Sequence, residues 1–164
     1  MERLSIRPAT PEDAGTLYTI HRESVLRAYV HIFPPDRYPF PDREMRAHWV
    51  DSLAEEDRDV LIAERSGSPI GFVMVSPGWL KHLFVRPAEW GRGTGGVLHD
   101  EAVELLRGHG ELARLWVLEE NERARRFYEA RGWRRDGERR RADYPPYPPV
   151  LRYALRLAGA RTRP

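Results

Sequence analysis

The pattern of apolar and polar positions predicts strands and helices that alternate along the chain. Residues 4–6 alternate as in a short strand, and residues 10–13 follow with a capping hydroxyl, a proline and two acids, which is typical of a helix start. Helical spacing of apolar residues indicates a first helix to about Val30 and a second over 42–53. The four prolines of 31–41 predict a rigid connection between these helices.

The rest of the chain reads as a meander followed by further strand and helix units. Apolar runs separated by short turn sequences predict three antiparallel strands over 60–64, 70–75 and 80–85. A helix from Gly93 or Thr94 ends at Gly108, which is a glycine stop signal. The remaining predicted elements are a strand over 112–118, a short helix over 121–131, extended chain from Trp133 and a last strand over 150–157.

The composition is typical of a folded, water-soluble domain. The chain has 164 residues, of which 41% are hydrophobic and 32% charged, and this balance predicts one core. It contains no cysteine, which excludes disulfides, zinc–thiolate sites and cysteine nucleophiles. The charged beginning lacks the apolar run of a signal peptide, and no stretch has the length of a membrane span. We therefore expect a cytoplasmic protein, with one domain over 1–158 and a frayed tail over 159–164.

Arginine supplies 26 of the 27 basic residues, because Lys81 is the only lysine. The arginines cluster in 123–141, so a local positive face that binds nucleic acid is one interpretation. A solvated surface is the other, and the net charge of +2 favours it.

The segment between the third meander strand and the following helix carries candidate chemistry. Glycines at 91, 93, 95 and 96 let the backbone approach a ligand and direct successive amides at it, next to the positive end of a helix. This pattern predicts a phosphate or pyrophosphate site. A glycine-rich turn that only reverses the chain is the competing interpretation.

A dinucleotide site is the main alternative for the same turn. Gly91, Gly93 and Gly96 fit G-x-G-x-x-G, and Glu119 follows the next strand where a ribose-binding acid would lie. Five residues separate Val85 from the first glycine, however, whereas the dinucleotide fingerprint turns at once from strand into glycine. The preceding meander also disagrees with that topology.

Two separated blocks resemble the GCN5-related N-acetyltransferase (GNAT) family. Its strand-turn-helix pattern V-x-P-x-x-[QR]-x-x-G-x-G-[GA] is matched by Val85, Pro87, Gly93, Gly95 and Gly96, with Trp90 in place of Gln or Arg. Its pattern N-x-x-A-x-x-[FL]-Y-E-x-x-G-[FW] is matched by Asn121, Ala124, Phe127, Tyr128, Glu129, Gly132 and Trp133. The resemblance implies an α+β fold with a mixed, mostly antiparallel sheet of six to seven strands and about four helices.

The resemblance also implies acetyl-CoA as the acyl donor and assigns residues to it. The backbone of one strand pairs with the pantetheine arm, and amides of the glycine turn hold the pyrophosphate. Asn121 contacts the arm from the other edge, although it also fits a plain helix cap. The implied coenzyme-binding residues are Leu83, Phe84, Val85, Gly91, Arg92, Gly93, Thr94, Gly95, Gly96, Asn121 and Tyr128.

Tyr128 is the implied general acid, which protonates the departing thiolate; a packed core tyrosine is the alternative. Attack on a thioester needs a neutral amine, and some family members supply a glutamate base. The corresponding positions here are Trp79 and Trp116, so that base is missing. His82, Glu119 and Glu120 are the substitutes that the sequence offers, and His82 equally fits a buried, satisfied histidine.

The acceptor pocket of the family is built from the connection between the first two helices and from a late hairpin loop. Here these segments contain Tyr29, Phe33, Tyr144 and Tyr147 among prolines, which suits a flat or partly apolar amine. They also fit rigid loops, and the tyrosines beside paired prolines fit a polyproline ligand.

The sequence thus predicts direct transfer of an acetyl group from acetyl-CoA to a primary amine of a small molecule or peptide. We expect no metal, no nucleic-acid or membrane partner, and a monomer or homodimer. The alternatives are an NAD(P)-dependent oxidoreductase, a catalytically silent acyl-CoA sensor and an arginine-rich nucleic-acid-binding protein.

Overall fold

Seven strands and four α-helices make up residues 3–157, the part of the chain that the computed structural model describes. Two short 3-10 helices, Pro11–Asp13 and Pro87–Glu89, precede α1 and α3. In chain order the elements are β1 (Leu4–Pro8), α1 (Ala14–Ala28), α2 (Asp42–Ala54), β2 (Asp59–Arg65), β3 (Ser68–Ser76), β4 (Trp79–Val85), α3 (Thr94–Arg107), β5 (Leu112–Leu118), α4 (Glu122–Glu129), β6 (Arg134–Arg141) and β7 (Pro149–Arg156).

All seven strands form one sheet in the order β1-β2-β3-β4-β5-β7-β6. Every neighbouring pair is antiparallel except β4 and β5, which are parallel. This mixed, mostly antiparallel sheet with four helices confirms the predicted fold class. It differs from the parallel sheet of a dinucleotide-binding domain.

The strands β4 and β5 separate soon after they meet. Trp79 and Arg114 are their one register pair, supported by the Arg114 amide, which donates to the Gly78 carbonyl at 2.9 Å. On the other side of β4, Met74 pairs with His82 but Val75 pairs with Leu80. Lys81 is therefore an extra residue, and a bulge of this kind bends and twists a strand. The bend directs the rest of β4 away from β5 and opens the sheet.

Helices cover both faces of the sheet. Successive residues of a strand point to opposite faces, so Phe72 and Met74 of β3 pack on one side and Val73 and Val75 on the other. On the first side lie Leu17 and Ile20 of α1 and Met45 and Trp49 of α2. On the second lie Leu98, Ala102, Val103 and Leu106 of α3, together with Trp133.

The ends of the elements differ slightly from the predictions. The first helix ends at Ala28, where Tyr29 caps it, and the residues before Ala14 form a 3-10 turn. Asp13 pairs with Arg7 at 2.9 Å, and this hydrogen bond lowers the pKa of Asp13 to about 2. The extended chain after Trp133 becomes β6, an edge strand whose residues are all exposed. The predicted tail at 159–164 and the predicted domain end at 158 lie outside the described residues.

Within residues 3–157 no helix is long and apolar enough to cross a membrane.

Candidate active site

The gap between β4 and β5 forms a cavity of about 600 Å³, which is in the usual range for small-molecule sites. Main chain and side chains of both strands line it, and the glycine turn closes one end together with the first turn of α3. α4 and the last turn of α1 complete the wall, through residues that include Ser24, Tyr29, Asn121, Arg123, Phe127, Tyr128 and Arg131. The two blocks singled out in the sequence thus meet across one cleft.

Alternation along β4 decides which main-chain groups face this cleft. The Arg86 amide donates to the Ile70 carbonyl of β3 at 2.8 Å. In an antiparallel pair every second residue turns its N–H and C=O to the partner, so Phe84 also faces β3. Leu83 and Val85 therefore turn theirs towards β5, from which β4 has separated. Of the three residues predicted to offer main-chain groups to the cleft, only Leu83 and Val85 do so. Phe84 lines the cavity, but its main-chain N–H and C=O face β3.

The carbonyl of Val85 already has partners in the protein. The Trp90 indole N–H donates to it at 2.8 Å, and the Ser24 hydroxyl lies 3.2 Å away as a second donor. The groups left for a ligand on this stretch are both main-chain groups of Leu83 and the amide of Val85. A bound chain with amide groups would satisfy them like an added strand.

The glycine turn gives the cleft a row of amides. Gly91 and Gly93 have φ of 78° and 86°, in the left-handed region that favours glycine. A Cβ on either residue would meet no atom within 4 Å, so backbone conformation rather than space requires glycine there. The first amide bonded within α3 is that of Val97, which donates to the Gly93 carbonyl at 3.2 Å. The amides of residues 94–96 have no acceptor within the helix and lie at its positive end.

Ion pairs beside the glycine turn hold it in position, and their shared acid, Glu89, also lines the cavity. Glu89 accepts from Arg65 and from Arg92, each at 3.0 Å, and Arg65 also lies 3.4 Å from the Thr94 hydroxyl as a donor. Arg65 and Glu89 are largely buried. The Arg92 side chain, predicted to contact coenzyme, is thus joined to Glu89.

Sequence reasoning missed two arginines at the rim of the cleft. Arg123 lies over the Trp90 ring with Cζ 3.8 Å from the ring centroid, and Arg131 lies 3.7 Å over Phe127. Both line the cavity beside the glycine turn. The sequence did show clustered arginines there, but only the contacts with Trp90 and Phe127 reveal which of them face the cleft. Trp90 supports Arg123 at the position where the family pattern has a polar side chain.

Tyr29, Asn121 and Tyr128 meet at the opposite wall of the cleft. Asn121 Oδ1 accepts from the Ala124 amide at 3.2 Å, as a helix cap does, and its side-chain nitrogen donates to the Tyr29 hydroxyl at 3.4 Å. Because Asn121 also lines the cavity, capping does not prevent the predicted contact with the coenzyme arm. Burial raises the pKa of Tyr29 to about 12. Tyr29, predicted for the acceptor pocket, lies in the same cavity as the residues predicted to bind coenzyme.

Tyr128 is 8% exposed and lines the cleft through that exposed part. Its ring packs edge-on against Phe127 and Trp133. Burial, and then the neighbouring Tyr29, raise its pKa well above the ordinary value. Its hydroxyl has no hydrogen-bond partner among residues 3–157. The phenol is therefore protonated at neutral pH and available as a donor in the cleft.

His82 lies beside a group of histidines and aromatic rings. Its ring centroid lies 5.8 Å from that of His48, 6.0 Å from that of His21 and 5.1 Å from that of Trp49. Burial lowers the pKa of His82 well below 6.5, and the other two histidines lower it further. His82 is thus neutral at pH 7 and lines the cavity. Among the described residues no group of three His, Cys, Asp or Glu could hold a metal ion.

The other predicted bases lie away from the cleft. Glu119 accepts from Arg139 at 3.1 Å, and this hydrogen bond lowers the pKa of Glu119. Glu120 is exposed, and its carbonyl lies 3.3 Å from His31 Nε2. Neither side chain lines the cavity. A lowered pKa also makes Glu119 a weaker base.

Three predicted acceptor residues lie outside the cavity wall. Phe33 packs near Tyr29 with ring centroids 6.4 Å apart. Tyr144 and Tyr147 are 46% and 49% exposed on the loop between β6 and β7. Burial and the charge of Glu44 on α2 raise the pKa of Tyr144, so this loop lies near α2.

Comparison with known proteins identifies the family. A model of the acetyltransferase (GNAT) family matches residues 22–133. An uncharacterized N-acetyltransferase of Archaeoglobus fulgidus is 31% identical over 127 residues, which cover 69% of this chain and 86% of that protein. The apo form of YjaB from Escherichia coli has a TM-score of 0.72 at 27% identity, covering 96% of this chain and 99% of that one.

A PaiA N-acetyltransferase from Thermoplasma acidophilum, solved in complex with coenzyme A, has the same fold, with a TM-score of 0.73 at 21% identity over 94% of this chain and 99% of that chain. The family model and the archaeal relative show common ancestry as well as a common fold, because the model matches more than half of the chain and the relative exceeds 30% identity. The chain therefore belongs to the GNAT acetyltransferase family and is an N-acetyltransferase.

Proposed function

We propose that this N-acetyltransferase takes the acetyl group from acetyl-CoA and transfers it directly to a primary amine of a small molecule or peptide. The observation that carries the proposal is the cleft between β4 and β5, where unpaired main-chain groups of Leu83 and Val85 run into the amides of the glycine turn. That arrangement fits a ligand with amide groups along one arm and a pyrophosphate at its end. The coenzyme A bound to the PaiA protein is consistent with it.

The residues we propose for acetyl-CoA follow the cleft from strand to helix. Leu83 and Val85 would bind the arm through main-chain groups, with Phe84 as a neighbouring wall. The amides from Gly91 to Gly96 would hold the pyrophosphate, with Arg92, Thr94 and Gly95 within that turn. Arg123 and Arg131 would add charge at the rim, while Asn121 and Tyr128 would contact the arm from the other side.

Tyr128 is the proposed general acid. In direct transfer the amine nitrogen bonds to the acetyl carbon while the bond from that carbon to sulfur breaks. Tyr128 would give its proton to the departing sulfur, and its raised pKa keeps that proton in place up to the moment of transfer. The absence of any cysteine supports a route without a thioester on the enzyme.

His82 is the proposed base, directly or through water. His82 is neutral at pH 7 and lines the cavity, whereas the side chains of Glu119 and Glu120 lie outside the cavity. Its lowered pKa makes it a weak base, which suits an amine of low basicity such as an α-amine (ordinary pKa about 8) better than a lysine side chain. His82→Gln should lower kcat most at the pH values where the acceptor amine is still protonated.

Thermal unfolding with acetyl-CoA, NAD or no ligand tests the donor. A ligand that binds only the folded state raises stability by RT ln(1 + [L]/Kd), about 2.7 kcal/mol at 100 times Kd. We expect a rise with acetyl-CoA and none with NAD, and thiol release when amines are added. A rise with NAD alone would contradict the proposal. The cytoplasmic location and the monomer or homodimer stay predictions.

A further inference from the structure

Lys81 lines the end of the cleft farthest from the glycine turn, and two arginines lie close enough to it to affect its charge. Lys81, the extra residue of the β4 bulge, lines the cavity with Nζ 5.6 Å from the ring centroid of Trp79. Arg140 of β6 lies over Trp116, another cavity residue, with Cζ 4.5 Å from the ring centroid. Arg58 directly precedes β2 and is the other arginine.

The sheet register brings the three together. Arg58 precedes Asp59, whose partner Val75 pairs in turn with Leu80, the neighbour of Lys81. From the other side, β6 carries Arg140 towards the cleft through its pairing with β7. Burial lowers the pKa of Lys81, and the positive charges of Arg58 and Arg140 lower it further. Both arginine charges are thus close enough to repel the ammonium group of Lys81.

One exposed carboxylate, Asp57, offsets this cluster in part, because its charge raises the pKa of Lys81. Arg139, the neighbour of Arg140 in sequence, forms an ion pair with Glu119. Within residues 3–157, Lys81 and Arg140 form no ion pair, and Arg58 Nε is buried without a hydrogen-bond partner. The nearest acid to Arg58 is Asp57, 3.9 Å from Nε with a side chain 62% exposed.

We propose, on the basis of the acetyl transfer proposed above, that the acceptor is a small amine carrying a carboxylate or phosphate, which Arg58, Lys81 and Arg140 bind. Such an anion relieves the repulsion on Lys81 and can form charge-assisted hydrogen bonds with the cations. Trp116, which lines the cavity, offers an apolar wall for the carbon skeleton between amine and anion.

Position along β4 separates this cluster from the pyrophosphate end. Lys81 precedes Leu83 by two residues, about 7 Å at 3.3 Å per residue, and Val85, the last residue of β4, by about 13 Å. The anion site is therefore well separated from the pyrophosphate site proposed at the glycine turn. The same charges would repel polyamines and aminoglycosides, which are cationic around their amines.

Matched acceptor pairs test the charge requirement in the full chain with saturating acetyl-CoA. Phosphoethanolamine is compared with ethanolamine, and β-alanine with β-alaninamide, with spermidine and kanamycin as cationic amines; thiol release gives kcat/KM. We expect at least one anionic amine to exceed its neutral partner by about 10-fold or more, which corresponds to one good charge-assisted contact. The two pairs distinguish a phosphate from a carboxylate.

Charge-removing variants connect the preference to the cluster. Arg58→Gln and Arg140→Gln should each reduce the anionic preference by about 3-fold or more while leaving acetyl-CoA affinity unchanged. Arg107→Gln is the matched control, because Arg107 pairs with Glu104 in the last turn of α3 and lies outside the cleft. Circular dichroism confirms that each variant is folded.

A binding measurement makes the test independent of turnover. Calorimetric titration of the coenzyme A-saturated protein with phosphoethanolamine and β-alanine should give salt-dependent binding that Arg140→Gln weakens. Equal or faster acetylation of ethanolamine, β-alaninamide or spermidine, or no binding of either anionic amine, would overturn the proposal and leave acetyl transfer standing. If acetyl-CoA fails to bind, both proposals fall.

Discussion

Individual side chains in the cleft are set apart by their surroundings more than by their type. The chain has seven tyrosines, yet Tyr128 combines deep burial, a raised pKa and a hydroxyl without a partner in the described residues. Tyr153 shows the contrast, because its buried hydroxyl donates to Glu129 at 2.7 Å and accepts from Arg125 at 3.0 Å. The Tyr128 hydroxyl is therefore left to solvent or to a ligand in the cleft.

Tyr128→Phe tests the proposed acid. The substitution removes only the oxygen, so acetyl-CoA affinity should stay within about 3-fold while kcat falls roughly 10- to 10⁴-fold. Since burial raises the Tyr128 pKa, the wild-type rate should show no alkaline loss below about pH 10, the ordinary tyrosine value. Steady-state kinetics over a pH series measures both, with Tyr38→Phe, outside the cleft, as the control. Unchanged kcat in Tyr128→Phe would remove this residue from the mechanism.

Arg123→Gln tests the rim charge that Trp90 supports. Loss of one partly exposed cation should weaken acetyl-CoA binding roughly 2- to 10-fold at low salt, and the difference should shrink as salt rises. Arg126→Gln is a control on the same helix, because its side chain is 79% exposed and lies outside the cavity. Equal effects of the two variants would argue against a specific contact by Arg123.

At the level of elements, the glycine turn and the histidine group depend on different physics. Pattern and spacing in the sequence were enough to predict the turn, because left-handed backbone and free helix amides require glycine at particular positions. The histidine group was not predicted. His21, His48 and His82 lie on α1, α2 and β4, and their proximity depends on how two helices pack on one sheet face. Only His82 could be selected, from its position on the strand before the turn.

Gly93→Ala tests the turn as a backbone element. Alanine at a φ of 86° costs about 1–2 kcal/mol, and its methyl group would project into the space beside the amides. Gly67→Ala has matched strain, at a φ of 84° in the β2–β3 hairpin with no atom within 4 Å of the new Cβ. Both variants should lose similar stability in urea, but only Gly93→Ala should lose acetyl-CoA affinity. Equal affinities would contradict the proposed role of the turn.

The histidine group should make the fold sensitive to acid. Burial lowers the pKa of His21 to about 4 and also lowers those of His48 and His82, so the unfolded chain binds more protons below its ordinary histidine pKa, about 6.5. Stability is then complete above about pH 6.5 and falls towards pH 4, by up to about 1.4 kcal/mol per pH unit for each histidine.

Urea unfolding at pH 7 and pH 5 measures this slope. His21→Gln should flatten it, whereas His109→Gln, on the exposed turn before β5, should leave it unchanged. A slope that is the same in wild type and His21→Gln would contradict the assignment.

Across the whole molecule, the proposed function depends on one interruption of the sheet, between β4 and β5. The meander, the two motif blocks and their order were predictable from the sequence, since each is a local pattern. The bulge at Lys81, the single register pair between Trp79 and Arg114 and the resulting cleft were not, because register between distant strands leaves little trace in local sequence. For the same reason Glu119 looked close to the site although its side chain pairs with Arg139 on β6.

Residue-resolved amide hydrogen exchange, measured by NMR with and without acetyl-CoA, tests directly whether the coenzyme binds between β4 and β5. We expect slower exchange for Leu83, Val85 and the amides of residues 91–96, while Phe84, already paired with β3, changes little. NAD should cause no such protection. Protection by acetyl-CoA elsewhere, or none in the cleft between β4 and β5, would show that the coenzyme does not bind there.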